Sequence, residues 1–323
     1  MKAKIFFKKL GIVLASIIGV IAVIIIIANI TVHITHHDFY KLKTNIASNP
    51  GVLDNYVPQG IAFNTDENYY ATCGYMKKHE PSRIYTVNKD TKVQTIYELT
   101  SDGEPWNGHT GGLSYSNGKF YLASEKDGVF VFDASLLENN TKKSKQIKTL
   151  EIGKPVIVNN NSSFCSTDDK YLYVGEFAHV PAYPCVHDVT YNGKTNTAIM
   201  TKYALNNLSK PLAVYSIPDD VQGCVFTDDG YAITSKSWAL TYAAYDVYSP
   251  ETIVKTDLTM DGAPVYFFTE YSKRISSIFF TEDVAIVGDK MITMTEGGAN
   301  KYYTGKFLND YGIYQFNLED LKK

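Results

Sequence analysis

Five segments of this sequence share one grammar, and that repetition limits the possible fold more than any other feature. They read PQGIAFNTDENYYATCG from Pro58, HTGGLSYSNGKFYLASE from His109, SSFCSTDDKYLYVGE from Ser162, VQGCVFTDDGYAITSK from Val221 and TEDVAIVGDKMITMTE from Thr281. Each carries a polar residue at its first or second position, enters a short apolar strand, turns on Asp, Asn or Gly, and continues into a second strand rich in aromatic and aliphatic side chains. Such turns between alternating apolar runs are hairpin signals, because these residues tolerate the backbone angles a tight turn demands. With Gln59, His109, Ser163, Gln222 and Glu282 as anchors, successive units are 50, 54, 59 and 60 residues apart. Self-similarity at roughly 40–50 residues, lengthened by loops, is the pattern of a propeller built from four-stranded blades.

The remaining strands fit the same plan. Arg83 to Val87 with Val93 to Leu99, Val129 to Phe132 with Gln146 to Ile152, Ile199 to Leu205 with Leu212 to Ile217, and Tyr242 to Tyr248 with Val265 to Phe268 are third and fourth strand candidates. The fifth unit ends after Gly312 to Leu318 without an outer strand, while Phe39 to Ile46 precedes the first unit without a partner. Letting the early strand complete the last blade closes the ring and removes an exposed edge. The expectation is an all-β chain, a five-bladed β-propeller closed by its N-terminal strand; a six-bladed ring is the alternative. A β-sandwich also has many short strands but no fivefold two-strand repeat. The 25 Tyr and 16 Phe suit pleated surfaces better than helices.

Ahead of the repeats, Leu10 to Ile30 is a run of 21 residues without a charge, long enough for a helix to cross a bilayer core. It is longer and bulkier than the apolar centre of a cleaved signal peptide. Lys2, Lys4, Lys8 and Lys9 precede it with no acid among them, and such a basic flank stays in the cytoplasm. The expected organisation is a cytoplasmic tail over 1–9, a transmembrane anchor over 10–30, a juxtamembrane linker over 31–38 containing a solvated His36-His37 pair, and an extracytoplasmic propeller over 39–323. A single-pass protein of the cell membrane follows. Without those four lysines the chain carries 27 basic against 34 acidic residues, a formal charge of −7. Such a surface does not grip nucleic acid. Cys73, Cys165, Cys185 and Cys224 contain no CxxC motif and are readable as two disulfides or as buried thiols.

In a blade, the start of the first strand and the end of the second emerge together beside the axis. That rule selects Gln59, His109, Ser163, Gln222 and Glu282 from the first strands, and Cys73, Glu125, Glu176, Lys236 and Glu296 from the second. Clustered carboxylates need a cation, a Lys or His partner, or protonation of one member. Glu125, Glu176, Glu282 and Glu296 are therefore candidate metal ligands, and oxygen donors of this kind suit Ca²⁺ better than zinc. Long loops over 177–197 and 297–311 would bring His179, Tyr183, His187 and Tyr302 to the same face, joined by Trp106 and Trp238.

The phrases VPQGIAF, GHTGGLSYSNGKFYLAS, VQGCVFTDDGYAITSKS and TEDVAIVGDKMITMTEGGANKY resemble those of bacterial exported or membrane-anchored propellers in the broad gluconolactonase, paraoxonase and NHL-type group. That resemblance implies a divalent metal, usually calcium, held by carboxylate and amide side chains at the channel mouth. Two functions compete: binding of a small-molecule, glycan or protein ligand at the mouth, and calcium-dependent hydrolysis of an ester, lactone or phosphate. Glycosidase chemistry is a third, weaker reading, since it needs two distinctive opposed carboxylates. No nucleophile elbow or phosphate-cradling Gly loop is present to favour an enzyme.

Overall fold

The five hairpins form the inner strand pairs of five blades. The computed structural model describes residues 2–78, 80–144, 146–308 and 311–323. Blade 1 comprises Tyr56–Asn64, Tyr69–Met76, Arg83–Asn88 and Gln94–Ser101, and blade 2 Thr110–Ser116, Lys119–Ser124 and Gly128–Asp133. Blade 3 comprises Phe164–Thr167, Tyr171–Gly175, Ala198–Ala204 and Asn207–Ile217, and blade 4 Val221–Phe226, Ala232–Trp238, Tyr242–Tyr248 and Lys273–Ser276. Blade 5 comprises Thr281–Val287, Lys290–Thr295 and Gly312–Asn317. Inner strands of successive blades touch, and that of blade 5 meets that of blade 1, so the ring is closed.

The closing strand comes from the N-terminal side, as expected, but it starts later. Thr44–Ser48 pairs antiparallel with Gly312–Asn317, whereas His37–Leu42 is a short helix rather than the beginning of a strand. Its residues follow helical spacing: Phe39 is fully buried among Tyr245, Tyr314 and Phe316, and Leu42, three residues on, packs into the same cluster.

Two outer strands also depart from expectation. Ile147–Glu151 pairs in parallel with Gln94–Ser101 of blade 1 instead of completing blade 2. Val265–Phe267, within the hairpin Ile253–Met260 and Ala263–Phe268, pairs in parallel with Asn207–Ile217 of blade 3 instead of completing blade 4. The hairpin turns on Asp261 and Gly262, both with positive φ, as a two-residue turn requires. Blade 4 is completed by Lys273–Ser276, where Arg274 forms a bidentate pair with the buried Asp246 directly across the ladder, at 2.6 and 2.7 Å. The excursions of blades 2 and 4 thus return to the edge of the blade before and cover apolar surface there: Leu150 and Ile152 pack with Leu99, and Val265 and Phe267 with Val214.

N-terminal to the ring runs one helix, Lys2–Thr35, long and apolar enough to cross a membrane. The helix continues through the segment expected as a linker, and His36 is buried against Ser276 and Phe279 rather than solvated. All four cysteines are free thiols, three of them buried.

Candidate functional site

Inner strands crowd at a propeller axis, and the sequence accommodates this at one register. Gly60, Gly112 and Gly223 stand opposite Cys73, Ala123 and Ser235 in blades 1, 2 and 4. A Cβ on Gly60 would come within 2.5 Å of the Leu113 nitrogen, and one on Gly223 within 2.7 Å of Asp283 Oδ1. In blade 3 the small residue is on the other strand, where the Phe164 ring lies over Gly175. Blade 5 has Asp283 at this level. Its buried carboxylate accepts backbone N–H groups from Ile61 and Leu113, each at 3.2 Å, and so ties three blades together.

One residue before this register, the strands of blades 1, 2 and 4 bulge, and that of blade 5 shifts across Glu282-Asp283. A bulge re-aims the residue it displaces. Gln59, Gly111, Ser163, Gln222 and Glu282 consequently border one cavity at the mouth of the channel. On the second strands the residue two beyond the crowded level completes the wall: Tyr75, Glu125, Phe177, Ser237 and Glu296. The cavity holds about 310 Å³.

Against this geometry the sequence-derived residues divide. Gln59, His109, Glu125, Gln222, Glu282 and Glu296 border the mouth, as does Ser163. His109 reaches it from two residues ahead of the true equivalent, Gly111. Glu176 and Lys236 do not border it. Each precedes its blade's wall residue by one, and alternation along a strand turns it to the other face. Glu176 is buried, accepting from the Asn161 and Ile199 backbone at 3.2 Å each and pairing with His187 at 2.8 Å. Lys236 is buried beside Asp219 at 3.5 Å. Cys73 lies two residues short of Tyr75, in the core. Trp106 packs edge-on against Phe130, away from the mouth.

The mouth has a polar floor and two aromatic sides. Glu282 and Glu296 are buried and hydrogen-bonded to each other, so they share a proton. Burial, then the charge of its partner, pushes Glu282 well above the ordinary carboxylate range; burial raises Glu296 to about 7, opposed by Lys301, Tyr302 and Gln59. Gln59 Nε2 donates to Glu296 Oε2 at 2.7 Å. On the side of blades 3 and 4, Trp238 stacks on His179 at 3.7 Å and meets Phe177 and Tyr183. His179 is held by Asp220 at 2.6 Å. Across the mouth, Tyr302 packs on Phe280, hydrogen-bonds to Glu296 and Tyr75, and lies with Tyr75 under the Lys301 ammonium. His109 leans on Tyr75, open to the mouth yet enclosed by its walls. That enclosure, with Lys301 and Lys126, holds its pKa below the ordinary histidine value.

Tyr75, Phe280, Lys301 and Asp283 escaped the sequence reading, although Tyr75 would have been found by taking every second strand to the same register as Glu125 and Glu296. Among the described residues no three His, Cys, Asp or Glu side chains are placed to hold a metal ion. Glu176 faces away from the mouth, so of the four expected ligands Glu125, Glu282 and Glu296 border it.

No family model and no curated protein matches the chain. Solved structures similar to it include the PQQ-bound aldose sugar dehydrogenase of Streptomyces coelicolor, at 12% identity and TM-score 0.44, over 85% of this chain and 96% of that one. The glutaminyl cyclase of Myxococcus xanthus aligns at 7% identity and TM-score 0.45, over 85% and 94%. A GH43_1 enzyme from Xanthomonas citri aligns at 11% identity and TM-score 0.44, over 87% and 92%.

Proposed function

We propose that this is a membrane-anchored, extracytoplasmic propeller whose channel mouth binds a small polyhydroxylated ligand of about the size of one sugar ring. The observation that carries the reading is the construction of the mouth: ten positions, two from each blade, converge on one cavity with hydrogen-bonding groups below and aromatic faces beside it. A cavity of about 310 Å³ is at the small end of ligand sites. Trp238 and Tyr302 supply flat apolar faces, while Gln59, Gln222, Ser163, Ser237 and the carboxyl pair supply donors and acceptors for hydroxyl groups. The basic flank with Lys4, Lys8 and Lys9 supports a mouth outside the cytoplasm, because such a flank stays inside.

Thermal unfolding of the full chain in detergent, in the presence of neutral mono- and disaccharides, tests the reading. A bound ligand at a hundred times its dissociation constant stabilises by about 2.7 kcal/mol. Trp238→Ala and Gln222→Ala should abolish that gain, whereas Leu136→Ala, on the opposite side of blade 2, should keep it. If no sugar raises the melting temperature, the proposed ligand class is wrong. Ca²⁺ is titrated alongside, and ester, lactone and phosphate substrates are assayed with it. Calcium binding together with turnover that Glu282→Gln removes would establish the metal-dependent hydrolase in place of the binder.

A further inference from the structure

Asn29 lies one residue inside the C-terminal end of the apolar run Leu10 to Ile30, yet its side-chain amide donates to the Phe307 carbonyl at 2.7 Å. One turn on, Val32 is buried in a small apolar crevice with Phe280 and Leu308. The loop that receives the helix is the one that carries Lys301 and Tyr302 into the mouth, and Phe280 borders both the crevice and the mouth. A helix rises 1.5 Å per residue, so if residues 10–30 fill a bilayer core, Asn29 and the Phe307 it touches lie at the edge of the hydrocarbon. The side of the propeller held at that level is the mouth side.

Apolar exposure is distributed accordingly. Outside the helix, the large hydrophobic side chains more than half exposed among the described residues are Leu53, Ile157, Val180, Tyr183, Val186 and Phe307. All six belong to mouth-side loops. The Leu53 carbonyl accepts from Asn300, next to Lys301; Ile157 and Val186 share a cleft with Glu125; Val180 and Tyr183 follow His179 over the mouth. Val186 at 89% and Leu53 at 81% exposed have no intramolecular reason to be apolar. Large apolar side chains exposed on one face mark a surface that is covered in use, and Tyr is favoured at the headgroup level.

We propose that the mouth face of the propeller rests on the bilayer its own helix enters, so that the mouth opens onto the headgroup layer and takes its ligand from there. The proposal rests on the anchor reading above. It is tested on the full chain carrying Cys185→Ser, whose other cysteines are buried, in phosphatidylcholine vesicles. Single fluorophores are attached at Ile30→Cys, Leu53→Cys, Ile157→Cys and Leu136→Cys, and quenching is read with phosphatidylcholine bearing a headgroup nitroxide. Labels at 53 and 157 should be quenched to within about twofold of the label at 30, and the label at 136 several-fold less. If 30 is quenched but 53 and 157 are not, the face stands clear of the membrane: the proposal is overturned and the anchor survives. Equal quenching at 136 overturns it as well, since no face is then preferred. An unquenched label at 30 removes the anchor reading and the proposal with it.

Discussion

The Glu282–Glu296 pair shows how a single position is governed by its neighbours. Two carboxyls held in contact and buried cannot both ionise cheaply, so folding gathers a proton that the unfolded chain would release. A carboxyl with a raised folded pKa contributes stability that is fully present below its ordinary value near 4.5 and is lost as pH rises through about 7 for Glu296. The melting temperature of the wild type should therefore fall, relative to Glu282→Gln, as pH is raised from about 4.5 to 7.5, because glutamine supplies a permanent donor to Glu296. Parallel pH profiles for the two proteins would rule out the shared proton. The same scale explains what could be read beforehand. First-strand polar residues were found because they follow recognisable turn and strand grammar. Glu176 and Lys236 misled because a side chain's face depends on register to a single residue, and the bulges that set register leave no reliable mark in the sequence.

Among elements, the closing strand bears the largest consequence. Thr44–Ser48 adds a strand from the N-terminal side to the outer edge of blade 5, and the helix before it inserts Phe39 between blades 4 and 5. Phe39→Ala should cost about 3–5 kcal/mol, as for other large aromatic side chains removed from a core. Deleting residues 44–48 should lower the melting temperature far more than deleting the exposed tip, residues 192–194, of the hairpin Val189–Tyr191 and Lys194–Asn196. A deletion mutant that melts within a few degrees of the wild type would show that closure is not what holds the ring. The closing strand was legible because the last unit visibly lacked a partner. The two borrowed outer strands were not, since Ile147–Glu151 and Val265–Phe268 have ordinary strand composition and nothing local states which edge they join. Lys273–Ser276 was missed for the opposite reason: it is short and polar, and its place is fixed by the Arg274–Asp246 pair, which forms only once the blade exists.

At the scale of the whole molecule, the helix and the ring each limit what the other can do. Residues 10–30 have no partner within the fold over most of their length, and an apolar helix of that length in water would be unstable or aggregated. A membrane would satisfy it, and under the anchor reading charge decides the direction of crossing. Lys2, Lys4, Lys8 and Lys9 lie on the N-terminal side, whereas Lys41 and Lys43 are the nearest lysines on the other, and Lys43 lies over the Phe39, Tyr40 and Tyr314 rings. The expected product is a membrane-bound chain with its ring outside. Protease added to intact cells should digest the propeller while a cytoplasmic marker survives, and the protein should sediment with membranes. Replacing Lys4, Lys8 and Lys9 with Gln should lower the fraction correctly oriented, because the charge difference across the span is then lost. A ring protected in intact cells but cleaved after lysis would reverse the topology, and a freely soluble product beginning after residue 30 would mean that the helix is a cleaved signal.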